Sequence, residues 1–151
     1  MLSLGGALGV NARYWLGAWM TRWASPQFPW ATFTINVSGS FAIGFLATVL
    51  ARWLPHPNVR LLVLTGFLGG YTTFSTFSFD ALTLWERGAT TRALGYLAGS
   101  VAAGCIAVGL GAALARTPLL TPARHAAGAA ETRALDHTQP RRQQGAREGR
   151  P

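Results

Sequence analysis

The sequence predicts an all-α membrane protein of four transmembrane helices, the third of them broken at its centre. Three observations carry that expectation. Half of the 151 residues are hydrophobic and only 12% are charged, a balance that suits lipid better than water. Four apolar stretches, roughly 2–21, 30–52, 60–86 and 92–115, approach or exceed the ~20 residues that a bilayer core demands. The third stretch carries Gly69-Gly70 and five Ser/Thr hydroxyls at its middle, in "GFLGGYTTFSTFSFDA".

The first stretch has no basic region ahead of its apolar residues and no small-residue cleavage site behind them, so it reads as a retained helix and not as a signal peptide. Gly5, Gly9 and Gly17 share a stripe with Arg13. Small residues at that spacing let backbones approach where lipid offers no hydrophobic drive. Arg13 is expected to be structural, snorkelling to the interface or bonding helix-end carbonyls, in preference to holding an anion. Trp15, Trp19 and Trp23 recur every four residues near the end of this stretch, which fits a headgroup belt and a packed stripe equally well.

The second stretch is bracketed by Trp30 and Trp53 and carries Asn36, Ser40 and Gly44, a stripe that is both small and polar. In the fourth, Gly95, Gly99, Ala103, Ala107 and Gly111 repeat every fourth position. The intervening "TRWASPQFP", "PHPN" and "ERGATTR" each hold Pro or Gly beside polar residues, as short surface turns do. From Thr117 the apolar density collapses, dividing the chain into a four-helix domain, 1–116, and an Arg-rich tail, 117–151, predicted to be disordered.

All thirteen basic residues are arginine, and five acids leave a net charge of +8. Six of the arginines lie in the tail and most of the rest flank apolar runs, which points to anionic membrane lipid as the partner and not to nucleic acid. The turns on one side carry Arg22, Arg87 and Arg92, and those on the other carry Arg52, Arg60 and Arg116. That symmetry gives the positive-inside rule nothing to act on. A chain that inserts both ways up would assemble as an antiparallel homodimer. Alternatively, Arg124 and Arg133 in the tail fix a single orientation.

The third stretch asks for a broken helix because a backbone that leaves helical geometry in mid-bilayer is tolerated where it is buried in protein or lines an ion site. The break is expected at Gly69-Gly70 and the Tyr71-Thr72-Thr73 that follows. A simple glycine kink, with hydroxyls bonded back to the preceding turn, is the competing reading. Five clustered hydroxyls, two phenylalanines at helical spacing and Asn36 in mid-membrane weigh against it.

Taken in order and at these separations, "GGALGVNARYWLG", "TFTINVSGSF" and "GFLGGYTTFSTFSFD" closely resemble the Fluc (CrcB) family of fluoride channels. The resemblance covers about residues 4–112, and the third motif is very specific. It implies a dual-topology homodimer of four-helix subunits, multi-pass in the cell (inner) membrane, with two antiparallel pathways that passively export fluoride and protect the cell from it. It also implies a structural Na⁺ at the dimer centre, held here by the backbone carbonyls of Gly69 and Thr72. The pore phenylalanines would be Phe74 and Phe77, the pore asparagine Asn36, and the fourth-helix hydroxyl residues Tyr96 and Ser100. Asp80 falls where family members often have Glu near a pore mouth. The short start before Gly5 suggests a missing helical turn or a misassigned start codon, and the tail is not part of the family pattern.

The residue chemistry also suits an anion path in its own right. Fluoride is small and strongly hydrated, so a pore must replace water with hydrogen-bond donors, which hydroxyls and amide NH₂ groups supply and carbonyls do not. Asn36, Ser75, Thr76, Ser78 and Ser100 are such donors. Phenylalanine ring edges carry partial positive charge, and Phe74 and Phe77, at i and i+3, share one helix face. Proton-coupled export of cations by a small multidrug transporter would want a carboxylate in the first helix, and residues 1–21 contain none. His56, His125 and His137 fall in a turn and the tail with no carboxylate cluster, and the single Cys105 sits among apolar residues, so an enzyme is not expected. A structural assembly subunit stays open against a channel, and anion flux would separate the two.

Overall fold

In lipid every backbone polar group must find its partner within the protein, so an apolar run of bilayer length becomes a helix. The computed structural model, which describes residues 1–54 and 56–117, has helices α1 (Leu2–Trp23), α2 (Trp30–Trp53), α3 (Pro57–Arg60), α4 (Gly69–Tyr71), α5 (Phe74–Glu86) and α6 (Thr90–Ala115). A π-helical segment, Leu61–Leu68, joins α3 to α4, and there is no strand among the described residues. Dihedrals at Arg60, Leu61, Leu68 and Gly69 are all helical, so α3, the π segment and α4 run on as one rod. With α5 that rod makes up the third stretch, and the four stretches read from the sequence are the four helical spans of the fold. The tail beyond Thr117 lies outside the described residues.

Each span stops where its sequence denies it a further turn. Ahead of α3, Pro57 occupies the first helical turn, where its missing N–H is not needed. At the end of α5, Gly88 takes φ 73°, and two bonds close the turn: Ala89 N–H to Leu84 O and Gly88 N–H to Trp85 O, both 2.9 Å. This left-handed glycine cap reverses the chain into α6. Phe77, Ala81 and Leu84 of α5 thereby meet Ala93 and Tyr96 of α6 in a buried cluster, with Phe28 and Phe33 against it.

The third span breaks within the expected stretch, at Thr72-Thr73 and not at the glycine pair. Gly69 and Gly70 are helical, while Thr72 (φ −81°, ψ 158°) and Thr73 (φ −150°, ψ 119°) are extended. The glycine serves another purpose. A Cβ on Gly70 would lie 2.6 Å from the Gly6 carbonyl oxygen, so its bareness lets the rod lie on α1. Extended geometry falls instead to two β-branched residues that favour it.

Helix pairs are built on the small-residue stripes. α1 lies against the π segment and α4, and α2 lies along α6. A side chain on Gly9 would collide with the Phe67 carbonyl, one on Gly44 with the Val108 carbonyl, and one on Gly111 with the Phe41 carbonyl. Gly95 and Gly99, at the other end of the α6 stripe, have nothing within 4 Å of an added Cβ. The outer surface is apolar: Leu8, Val101, Ile106 and Leu110 all stand exposed. Trp15, Trp19 and Trp23 are exposed too, so that stripe is not packed within the chain. By length and composition α2 and α6 are each able to cross a membrane.

Candidate functional site at the broken third span

The break frees the Thr73 N–H, and Asn36 of α2 bonds both that amide and the Thr73 carbonyl, which also starts α5 as its N-cap acceptor. The Asn36 Nδ2 donates to Thr73 O at 3.0 Å, and its Oδ1 accepts from Thr73 N–H at 2.9 Å. One amide side chain thus stands in for a neighbouring strand. The second Nδ2 hydrogen is left over. Below the break, Thr72 N–H and Thr72 Oγ1 both donate to Leu68 O, at 3.0 and 2.9 Å. Above it, Thr73 Oγ1 caps α5 by accepting from Thr76 N–H at 3.3 Å.

These bonds divert amides from their helical acceptors. In an unbroken helix Thr73 N–H would donate to Gly69 O, and Thr76 N–H to Thr72 O. The first goes to Asn36 and the second to the Thr73 hydroxyl. The carbonyls from Gly69 to Thr72, these two included, are therefore released from their i+4 donors, and Gly69 is exposed. They are the hard oxygen donors the break offers a cation. Among the described residues no group of three His, Cys, Asp or Glu could hold a metal ion.

Beside the break lies a groove of about 500 Å³. Asn36 and Ser40 of α2, Gly69 and Thr72 at the break, Phe74 and Phe77 of α5, and Ser100 of α6 line it. The Ser100 Oγ is buried with no hydrogen-bond partner. A buried hydroxyl in that state is costly unless a ligand or water meets it. The two phenylalanines share the groove but differ in setting. Phe74 is 79% exposed, whereas Phe77 is 8% exposed. Their ring centroids are 5.7 Å apart, and the Phe77 ring rests 5.1 Å from that of Tyr96.

The other residues singled out from the sequence fall elsewhere. Ser75, Thr76 and Ser78 lie on the exposed side of α5 and do not line the groove. Ser75 and Thr76 hydroxyls contact Thr73 Oγ1, and Ser78 Oγ donates back to Phe74 O at 3.0 Å. That back-bonding is the local pairing expected of a hydroxyl in a helix with no better partner. Tyr96 is fully buried, with its hydroxyl 3.4 Å from Asp80 Oδ2, so these two form a pair in the α5–α6 core behind Phe77. Arg13 is half-buried in α1 and makes no hydrogen bond or ion pair to a described residue. The sequence reading gave Thr73, the pivot of the break, no role of its own, although a Thr followed at once by an apolar helical run is a capping signal. It also overlooked Ser38, whose Oγ lies 2.8 Å from the Tyr71 hydroxyl and ties α2 to the rod just below the break.

Residues 1–112 match the protein family described as "CrcB-like protein, Camphor Resistance (CrcB)". The chain is 48% identical over 117 residues to a "Fluoride-specific ion channel FluC" of Rhizobium meliloti, covering 77% of this chain and 94% of that one. It is 46% identical to proteins of the same name from Mesorhizobium japonicum, over 78% of this chain and 94% of the relative, and from Chelativorans, over 79% and 96%.

Proposed function

The chain belongs to the CrcB family, and from that membership we propose that it is a fluoride-specific ion channel, not an enzyme, that lets fluoride leave the cell passively. The observation that carries this reading is the groove beside the break. Its lining includes Asn36 with a spare N–H, the unpartnered Ser100 hydroxyl and the exposed Phe74 ring, one from each of three helices. Each presents partial positive charge, and none is a carbonyl that would repel an anion. Passive flow suffices for export. Hydrogen fluoride is a weak acid whose neutral form crosses membranes and dissociates in a less acidic cytoplasm, so the trapped anion has a gradient to run down. Purified protein in fluoride-loaded liposomes should release fluoride to an external electrode and retain chloride. Release of chloride without fluoride would overturn the reading.

The working unit is an antiparallel homodimer in the inner membrane, each chain crossing the bilayer four times. Support comes from surfaces largely uncovered within one chain: the exposed Phe74 ring, Gly69, and the open Gly95 and Gly99 end of the α6 stripe. Three arginines on each side leave orientation unbiased, and the apolar outer face suits lipid. The Gly69 and Thr72 carbonyls would hold a structural Na⁺, which supplies positive charge to backbone oxygens otherwise short of donors in lipid. Orientation is checked by labelling. With Cys105→Ser removing the native thiol, a cysteine placed at the exposed His56 should react with an impermeant reagent in about half of the copies in intact cells, as balanced loop charge requires. Labelling of all copies or of none would rule out the antiparallel pair.

A further inference from the structure

We propose that Asn36 is a positioning residue for the cation site: by bridging both backbone groups of Thr73 it keeps the Gly69 carbonyl free to act as a ligand. The inference rests on the Na⁺ reading above and assigns Asn36 a task separate from donating to fluoride. The geometry of the bridge is the ground for it. Both bonds, at 3.0 and 2.9 Å, go to a single residue that lies thirty-seven positions away in another span. The N–H so captured is the one amide that an unbroken helix would return to Gly69 O.

The arrangement works as an exchange of acceptors. Thr73 N–H has one acceptor in each form of the span, Asn36 Oδ1 in the broken form and Gly69 O in the continuous helix. Removing Asn36 leaves the amide of Thr73 without an acceptor, while its carbonyl keeps the first helical bond of α5, and the relief closest at hand for the amide is the regular helical bond to Gly69 O. Gly69 O would then be committed to an amide and poorer as a cation ligand. The Thr73 hydroxyl does the matching job a turn further on, capping Thr76 N–H and leaving Thr72 O free. The second N–H of Asn36 is not needed for any of this.

That division can be tested because aspartate separates the two tasks. Asn36→Asp has the same shape. Protonated, it donates to Thr73 O and accepts from Thr73 N–H; ionised, it still accepts. In neither state does it have a spare N–H for an anion. Asn36→Ala makes neither bond. Binding of radioactive Na⁺ to the full-length protein in detergent, measured by equilibrium dialysis, is the readout. Asn36→Ala should raise the half-saturating Na⁺ concentration by about tenfold, the effect of giving one carbonyl ligand back to an amide. Asn36→Asp should bind Na⁺ at least as tightly as the unaltered chain. Asn36→Ser, too short to span both groups, should behave as the alanine variant does and replaces it if that variant does not fold. Unchanged Na⁺ binding in Asn36→Ala or Asn36→Ser, or binding by Asn36→Asp as weak as theirs, would overturn the assignment while leaving the cation site standing. An unaltered chain that binds no Na⁺ would instead overturn the cation reading and this inference with it.

Discussion

Phe74→Ile should leave a folded protein of unchanged size on gel filtration and lower fluoride flux by about ten- to hundredfold. The reasoning begins with exposure. At 79% exposed, the Phe74 ring contributes little packing within its own chain, so an apolar replacement of similar bulk costs the fold little. What isoleucine cannot reproduce is the electropositive ring edge. Contact between such an edge and a desolvated anion is comparable with a hydrogen bond to a charged group, about 1.5–3 kcal/mol. Each 1.36 kcal/mol is tenfold in rate, which sets the expected range. Phe77→Ile should lose flux as well, but with a lowered melting temperature, because that ring is buried against Tyr96 in the α5–α6 cluster. Flux measured with a fluoride electrode on protein of verified size decides the matter. Unchanged flux through intact Phe74→Ile would remove the ring from the pathway.

Gly111→Val should lower the melting temperature severely, through a loss of at least about 3 kcal/mol of stability. A Cβ at this position meets the Phe41 carbonyl oxygen and comes within 2.9 Å of the Phe45 nitrogen, both backbone atoms of α2. Backbone cannot swing aside as a side-chain tip does, so the two helices must separate along their seam. Overpacking typically costs 1–3 kcal/mol, and a clash with rigid backbone belongs at about the top of that range or above it. Gly44→Val attacks the same seam from the opposite helix, through the Val108 carbonyl. Gly109→Ala is the control, with nothing within 4 Å of its added methyl, and should leave stability unchanged. Monodispersity and melting temperature in detergent report the outcome. A Gly111→Val protein that melts with the unaltered chain would mean that close approach of α2 and α6 is not what holds the bundle.

The spans were legible because lipid leaves an apolar chain one local solution, and the stripes of glycine and alanine marked the faces where helices meet. The site was only half legible. Gly69-Gly70 drew attention to the right region, yet Gly70 serves contact with α1 and the threonines make the break. Sequence cannot distinguish a glycine needed for conformation from one needed for its lack of side chain, because both leave the same letter. Phe74 and Phe77 likewise look equivalent at i and i+3, and only the turn at Gly88, which folds α6 back over α5, buries one and not the other. Ser75, Thr76 and Ser78 have the right chemistry for anion donors, but helical phase and local bonds to Thr73 and Phe74 decide where their hydroxyls go.

The Asn36 bridge also puts the two spans on a clock. Synthesis runs from the N-terminus at about 5–20 residues per second, so Thr73 is added about 2–7 s after Asn36, from which it is separated by thirty-seven residues. Throughout that interval α2 carries an amide with no bridging partner, and when the third span first forms, its nearest acceptor for Thr73 N–H is its own preceding turn. The Asn36 bridge is therefore a bond that can form only after both spans have been made, when α2 and the third span meet.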